Sequence, residues 1–329
     1  MFDSSLQKLA ALTAVLITTS ALTACAREPE ATQPPASEPA SAPAPTADQS
    51  GVQSFEIGEA EATALRDGGL GIPNDGKTIA INHPPEDVAA LLTAAGQPTE
   101  KLQLSIQPLL VNADGKVLLF DTGAGANMGP TAGDLPKSLA AAGFDPGSVT
   151  DIFISHVHGD HVGGLANSAG QAAFPNATIH ISSPEWEYLK GMSAETAGNI
   201  GIAQHAALVA AMEPKVATFS PDSAIIPGVV KAVEIKGHTP GHSGYLITSG
   251  DESLLYIGDT MHHFIVSVQQ PDWTINFDGD APTAEASRKE LLAKSADSGQ
   301  RIYAVHFPFP GVGKVERKAD GFIWVAEPL

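Results

Sequence analysis

The 329-residue sequence contains little cysteine and few basic side chains. Its single cysteine can form neither an internal disulfide nor a cysteine-based zinc or iron–sulfur site. Eighteen Lys and Arg against 37 Asp and Glu give a net charge of −19, which argues against nucleic-acid binding, because phosphate contacts need clustered cations. With 43% apolar and 17% charged residues, the chain can still bury a core.

The N-terminal apolar run is too short for a membrane span. Residues 9–24 carry no charge and follow Lys8, which is typical of a secretory signal peptide. The run ends in the letters LTAC, which resemble the bacterial lipobox, so we expect residues 1–24 to be removed and Cys25 to carry a lipid anchor. Because no Asp follows Cys25, we predict an exported, periplasmic lipoprotein of the outer membrane. The alternative is an ordinary signal peptide.

The next segment predicts a tether, and the rest of the chain predicts one domain. Residues 25–54 are rich in Pro, Ala, Ser and Thr and contain almost no large apolar side chains, as in a disordered linker. Residues 55–329 contain no second linker of this kind and no internal repeat. We therefore predict a single folded domain over 55–329.

Short strands, hairpins and a few helices alternate within that domain. The turn letters ADG at 113–115, between two apolar runs, indicate a hairpin. Predicted helices cover 85–95, 135–142, 184–190, 200–212 and 283–295. Predicted strands cover 55–65, 107–112, 116–120, 151–155, 177–182, 229–235, 245–248, 254–257, 302–305 and 322–325. This pattern favours an α/β fold with sheets packed face to face and helices outside.

A histidine-rich motif directly follows the predicted strand 151–155. It places His156, His158, Asp160 and His161 within six residues, and imidazoles are costly to bury without partners. Neutral imidazole and carboxylate are the zinc ligands available without cysteine. In a loop, His156 and His158 can face one ion, while Asp160 and His161 face a neighbouring one.

More polar side chains follow predicted strands downstream. His238 and His242 share a Gly- and Pro-containing turn, Asp259 follows strand 254–257, and His306 follows strand 302–305. Functional residues often occupy such loops, because a rigid sheet fixes their geometry.

Five motifs in order resemble the metallo-β-lactamase superfamily. They are Asp121 in the letters FDTG, the cluster 156–161, His242, Asp259 and His306. A short motif alone produces false matches, but five in order make one much less plausible. The resemblance implies a four-layer αβ/βα sandwich with a two-metal site at one edge.

The same resemblance implies roles for individual residues. One metal would be bound by His156, His158 and His242, and the second by Asp160, His161 and His306. Asp259 would bridge the two metals, and Asp121 would orient the ligands. His238 would support the turn that presents His242.

Two divalent ions imply hydrolysis. They lower the pKa of bound water to about 7, so we expect a metal-bridging hydroxide to attack, with Asp160 or Asp259 relaying the proton. We predict Zn²⁺, with Mn, Co or Fe as alternatives.

The substrate is less constrained, because the fold and the metal site do not select one. Segments 58–68, 120–124 and 306–311 resemble methyl parathion hydrolase and its lactonase-like relatives. We therefore expect hydrolysis of hydrophobic lactones or carboxylic esters, with N-acyl-homoserine lactone as a candidate. Organophosphate triesters and β-lactams are alternative substrates, and a metal-binding lipoprotein without turnover is the non-enzymatic alternative.

Several side chains near the motif loops could line a hydrophobic substrate pocket. The residues predicted for this pocket are Trp186, His262, His263, Phe264, Trp273 and Phe307. For each aromatic residue, packing in the core is the competing interpretation. The oligomeric state stays open, with a homodimer as one alternative.

Overall fold

The computed structural model describes residues 51–319 and 321–329. The predicted signal peptide and the Cys25 anchor lie outside these residues, as does the tether up to residue 50. The first strand begins at Val52, inside the segment predicted to be tether. Within the described residues, no helix is long and apolar enough to cross a membrane.

Strands and short helices alternate along the chain. The strands are Val52–Ile57 (β1), Ala60–Leu65 (β2), Gly68–Pro73 (β3), Lys101–Ile106 (β4), Leu109–Ala113 (β5), Lys116–Phe120 (β6), Asp151–Phe153 (β7), Thr178–Ser182 (β8), Val216–Phe219 (β9), Ala224–Ile226 (β10), Val230–Glu234 (β11), Ser243–Ser249 (β12), Glu252–Tyr256 (β13), Arg301–Tyr303 (β14), Val312–Lys318 (β15) and Gly321–Ala326 (β16). The α-helices are Pro85–Ala94 (α1), Leu135–Ala141 (α2), Gly159–Val162 (α3), Ser183–Gly191 (α4), Ala194–Asn199 (α5), His205–Met212 (α6), Val266–Gln269 (α7) and Ala281–Ser298 (α8).

Two mixed sheets form the centre of the domain. The first has the spatial order β1-β2-β5-β6-β7-β8-β9, and the second runs from β10 to β16 in chain order. Aromatic side chains fill the space between the sheets, with Phe120 and Phe153 from the first sheet against Tyr245 and Tyr256 from the second. The first sheet buries its other face under α2, α4, α5 and α6, and the second packs against α8. This layering confirms the predicted four-layer αβ/βα sandwich.

The sheet topology brings the predicted site residues to one edge. Strand β7 is parallel to β6 and β8, so Asp121 after β6 and the loop 156–161 after β7 leave the sheet at the same end. In the second sheet, β13 and β14 are also parallel, so Asp259 and His306 leave together. His238 lies in the connection between β11 and β12.

The structure contains elements that were not predicted, including β9, β10, β15, α3, α5 and α7, and two other regions differ for identifiable reasons. The predicted strand 55–65 is a hairpin that turns at Gly58, whose φ of +56° lies in the left-handed region that glycine adopts easily. The segment 72–104, with only a helix predicted, also contains parts of β3 and β4, which pair antiparallel on either side of α1. Strand β3 reads GGLGIP, so glycine and proline hide the usual strand signal.

Candidate metal centre

Two groups of ligand-type side chains meet at this edge. His156, His158, His238 and Asp259 each offer one atom, and these atoms lie within 4.8 Å of one another. Asp160, His161 and His306 form a second group by the same measure. We call these the first and second ligand sets. The loop 156–161 therefore contributes to both sets, as its spacing predicted.

Asp259 lies between the two sets and presents one carboxylate oxygen to each. Its Oδ1 is 3.1 Å from His161 Nε2 and 3.0 Å from His306 Nε2. Its Oδ2 is 3.5 Å from His238 Nε2 and 3.7 Å from His156 Nε2. This arrangement suits a carboxylate that bridges two ions, the role predicted for Asp259.

The structure corrects the histidine assigned to the first set. His238 Nε2 lies 3.2 Å from His156 Nε2 and 3.1 Å from His158 Nδ1, where His242 was expected. Both ring nitrogens of His242 have other hydrogen bonds: Nδ1 donates to Ile235 O, and Nε2 accepts from the Asp259 backbone N–H. His242 therefore has no free lone pair for a metal, and the expected roles of His238 and His242 are exchanged.

Two buried ligand atoms at the centre have no hydrogen-bond partner in the part of the chain that the structure describes, and a bound cation would satisfy them. Among the described residues, His161 Nε2 and Asp259 Oδ1 are buried without a hydrogen bond. Such atoms are rare in folded proteins and call for an explanation. Imidazole nitrogen and carboxylate oxygen are both good ligands for divalent ions, so the residues present fit a metal pair.

The electrostatics of the site also favour bound cations. Burial lowers the pKa of His158 to about 3 and that of His238 to about 4, which keeps these imidazoles neutral, as ligation requires. In the second set, burial opposes the charge, but the Asp259 and Asp160 carboxylates raise the pKa of His161 and His306 above the usual value. The same negative potential favours a bound cation.

Asp121 orients the second set, as predicted. Its Oδ2 accepts a 2.7 Å hydrogen bond from His161 Nδ1, and the carboxylate also accepts bonds from Ser155 and Tyr256. Asp121 adopts a φ of +57°, which is uncommon for a residue other than glycine. Such strain persists where surrounding contacts enforce it, and it clusters at functional sites.

Asp278 and Arg288 also support the centre, and neither was predicted from the sequence. Asp278 Oδ1 accepts from His238 Nδ1 at 2.8 Å, and Oδ2 accepts from Arg288 Nη2 at 2.8 Å. Arg288 also donates to the carbonyl of Thr260, next to Asp259. One signal was available, because Arg288 shares a helix face with Leu291 and Leu292, and a buried arginine there requires a counter-charge.

A cavity of about 540 Å³ opens over the two ligand sets. Its floor is polar and includes His158, Asp160, Asp259, His262 and His306. Its apolar wall residues are Leu70, Leu104, Met128, Ile200 and Phe277, with Asn199 and Asn276 beside them. The cavity therefore combines a small ionisable end with a larger hydrophobic surface, as ligand sites commonly do.

Backbone hydrogen bonds attach the cavity walls to the loops that carry the ligands. They run from Ser105 N–H to His306 O (3.1 Å), from Gly159 N–H to Ile200 O (2.8 Å) and from Gly279 N–H to His238 O (3.0 Å). Each wall is thus joined to a different ligand-bearing segment.

His262 is the predicted pocket residue that lines this cavity. Its side chain is 1% exposed, and its Nε2 lies 3.2 Å from Asp259 Oδ2. Neither ring nitrogen forms a hydrogen bond with residues 51–319 or 321–329. His262 can therefore offer a donor or an acceptor to a molecule in the cavity.

The other predicted pocket residues lie elsewhere. Trp186 packs into the core beneath the first sheet, Trp273 stacks on His83, and Phe307 is buried against Trp324. These three side chains pack in the core and do not line the pocket, because large aromatic rings gain the most free energy from burial.

His263 and Phe264 border a separate cavity of about 280 Å³. His263 Nδ1 accepts hydrogen bonds from the backbone N–H groups of Ile265 and Val266, at the start of α7. This imidazole therefore caps a helix and does not face the ligand sets.

Comparison with known families agrees with this geometry. The model of the metallo-beta-lactamase superfamily matches residues 104–306, which include every residue of both ligand sets. The chain belongs to the metallo-beta-lactamase superfamily. It is a metal-dependent hydrolase with ligands for two divalent ions.

Solved structures place the chain near lactonase-like members of this superfamily. AidC, a dizinc quorum-quenching lactonase, is 31% identical with a TM-score of 0.79, over 85% of this chain and 98% of AidC. The hydrolase AbOPH is 29% identical with a TM-score of 0.76, over 86% of this chain and 99% of AbOPH.

Curated superfamily relatives match over shorter stretches. A probable metallo-hydrolase of Mycobacterium tuberculosis is 26% identical over 184 residues, which are 47% of this chain and 56% of that protein. Ribonuclease Z of Salinibacter ruber is 39% identical over 79 residues, which are 24% of this chain and 21% of the enzyme. The chain thus spans about a fifth to a half of the length of these relatives.

Proposed function

We propose that the protein is a dizinc lactonase that hydrolyses hydrophobic lactones, with N-acyl-homoserine lactones as candidate substrates. The observation that carries this proposal is the cavity, whose polar floor contains two members of each ligand set and whose walls are apolar. A lactone with an acyl tail has a matching shape, with a polar ester at one end and a hydrocarbon chain at the other. Likeness to AidC, whose structure holds the product N-hexanoyl-L-homoserine, supports the choice.

The chain's own residues would position the metals and the substrate. When bound, the two ions would polarise the ester carbonyl and lower the pKa of a water molecule. The first set would hold one ion through neutral imidazoles, and the second set would hold the other, with Asp259 shared between them. The amides of Asn199 and Asn276 line the cavity and can bind the amide group of an N-acyl substrate.

Proton transfer would fall to side chains on the cavity floor. Asp160 Oδ2 lies 3.6 Å from His306 Nε2, and its carboxylate faces the cavity, so it can accept a proton. His262 can donate a proton from Nε2 to the oxygen that leaves when the ring opens, because that atom has no hydrogen bond within the described residues.

A substrate panel tests this proposal. We would load the protein with zinc and measure kcat/KM for a hexanoyl-homoserine lactone, an aryl ester, a phosphotriester and a β-lactam. We expect the lactone to exceed the others by about 100-fold, with one proton released per ring opened. The D259A variant is the control for metal dependence. A highest kcat/KM on the phosphotriester or the β-lactam would overturn the lactonase proposal.

We also propose that the enzyme is exported and anchored through a lipid on Cys25. The support is the LTAC sequence after an uncharged apolar run. We expect the C25S variant to leave the membrane fraction after cell fractionation. Unchanged membrane association of C25S would contradict this anchor.

A further inference from the structure

Glu185, in the first turn of α4, is a buried carboxylate next to the metal centre. Its side chain accepts three hydrogen bonds, all from outside its own helix. Oε1 accepts from the Val157 N–H at 2.9 Å, and Oε2 accepts from the Thr239 hydroxyl at 2.9 Å and the Gly241 N–H at 2.7 Å. These bonds span 28 to 56 residues of sequence, so they do not belong to local helix capping.

The three donors come from the two loops that supply the histidines of the first ligand set. Val157 lies between His156 and His158, and Thr239 directly follows His238. The hydrogen bonds of Glu185 go to Val157, Thr239 and Gly241 and not to these imidazoles. Glu185 is therefore placed to fix the distance between the two loops without binding a metal itself.

Other contacts of α4 make this connection rigid. Ser182 Oγ, at the helix N-cap, donates to Gly241 O at 2.6 Å. A Cβ on Gly241 would lie 2.3 Å from Glu185 N, so the loop packs against the helix backbone with no spare room. Burial raises the pKa of Glu185 to about 7 despite its three hydrogen bonds, so keeping a carboxylate here costs stability. A purely structural helix would gain more from an apolar side chain at this position.

We propose that Glu185 is a positioning residue that holds the two loops of the first ligand set in register and so sets the metal affinity of that set. The second set shares the loop 156–161 with the first, but its histidines have orienting bonds of their own. Asp121 accepts from His161 Nδ1, and His306 Nδ1 donates to the Ser105 carbonyl, so we expect a much smaller effect on this set. The inference concerns metal binding and stands whichever substrate is hydrolysed.

The E185Q variant tests the proposal with little change in shape. A glutamine offers one oxygen and one NH₂ group, whereas the backbone N–H groups of Val157 and Gly241 can only donate, one to each end of the side chain. One of these two backbone bonds is therefore lost in either orientation. Titration with a competing zinc chelator would then resolve the two metal affinities. We expect one affinity to fall 10- to 100-fold and the other to stay within about twofold.

Two variants serve as controls. E187Q makes the same change on the same helix at an exposed side chain that pairs with Lys190, and we expect both affinities to match the wild type. D121N removes the charge that orients His161 directly and reaches His156 only through Ser155. We therefore expect the second ligand set to lose more affinity than the first. Cobalt substitution distinguishes the two losses, because the sets differ in their histidine and carboxylate ligands.

If E185Q does not fold, T239V keeps the carboxylate and removes one of its three bonds. We expect the same set to weaken in T239V, by a smaller factor. Unchanged affinities in E185Q, or an equal loss at both sets, would overturn the proposal. Because no step uses substrate, a failed lactonase assay leaves this result unaffected.

Discussion

The carboxylate of Asp278 holds the imidazole of His238 through a 2.8 Å hydrogen bond between Oδ1 and Nδ1. The bond fixes which nitrogen of His238 carries the proton, so Nε2 keeps its lone pair directed at the first ligand set. The other oxygen of Asp278 binds Arg288, which is itself buried. Buried hydrogen bonds therefore connect Arg288 on α8, through Asp278, to His238 of the first ligand set.

Replacement of Asp278 by Asn tests this support. The amide still accepts from His238, but Arg288 loses its counter-charge in the interior. We expect metal affinity to fall 10- to 100-fold and the free energy of unfolding to fall by about 3 kcal/mol. Chelator competition and urea unfolding measure the two effects. D272N is the matched control, since Asp272 is exposed and pairs weakly with Lys289. Wild-type affinity in D278N would exclude this role.

The exchanged roles of His238 and His242 give a second prediction. H238A removes a ligand of the first set, so we expect about one metal ion per chain by elemental analysis. H242Q keeps an acceptor for the Asp259 N–H, so we expect two ions and a stability loss of about 1–3 kcal/mol. The reverse pattern, with metal lost in H242Q and kept in H238A, would restore the assignment made from the sequence.

Metal removal should destabilise the whole domain, because both ligand sets combine residues that follow strands of both sheets. Each ion at 100 times its Kd stabilises the fold by about 2.7 kcal/mol. We therefore expect a chelator to lower Tm by roughly 5–10 °C per site in calorimetry. Added zinc should restore the original Tm. If Tm were unchanged after verified removal of the metal, the bound ions would not stabilise the fold.

His263 predicts an acid-sensitive stability. Burial lowers its pKa to about 4, below the usual 6.5, so its neutral form contributes fully above pH 6.5 and is lost as the pH falls toward 4. The expected loss at pH 4 is about 3 kcal/mol. In H263N, an amide oxygen can still cap α7 but does not titrate. The difference in unfolding free energy between wild type and H263N should therefore shrink on acidification. A constant difference would refute this source of pH dependence.

The order of strands and helices predicted packed sheets with helices outside, and the histidine spacing predicted that one loop faces two ions, since both are local features. The four-layer arrangement and the other ligands were implied by the resemblance to the superfamily. It assigned His242 to the first metal and gave His238 a supporting role; both lie in one turn, and no local feature separates them. The choice depends on two hydrogen bonds of His242 that form only in the folded chain. Its Nδ1 donates to the Ile235 carbonyl, and its Nε2 accepts from the Asp259 N–H.

The supporting residues were harder to predict. Glu185 lies 54 residues from Thr239, and Asp278 lies 40 residues from His238, so no local pattern marks either pair. The aromatic residues Trp186, Trp273 and Phe307 misled for the opposite reason. An aromatic side chain suits a pocket and a core equally, and only the packing in the folded chain shows which location it takes.

The attachment of each cavity wall to a ligand-bearing loop has a consequence for how this enzyme can change. A substitution that reshapes the wall at Ile200 acts on the backbone bond to Gly159, and one near Leu104 acts on the bonds between Ser105 and His306. We therefore expect substitutions in the cavity wall to change metal affinity as well as the choice of substrate. Variants selected for a new substrate should also show a changed metal affinity. Growth in a metal-rich medium should allow more wall substitutions, because excess metal keeps weakened sites occupied.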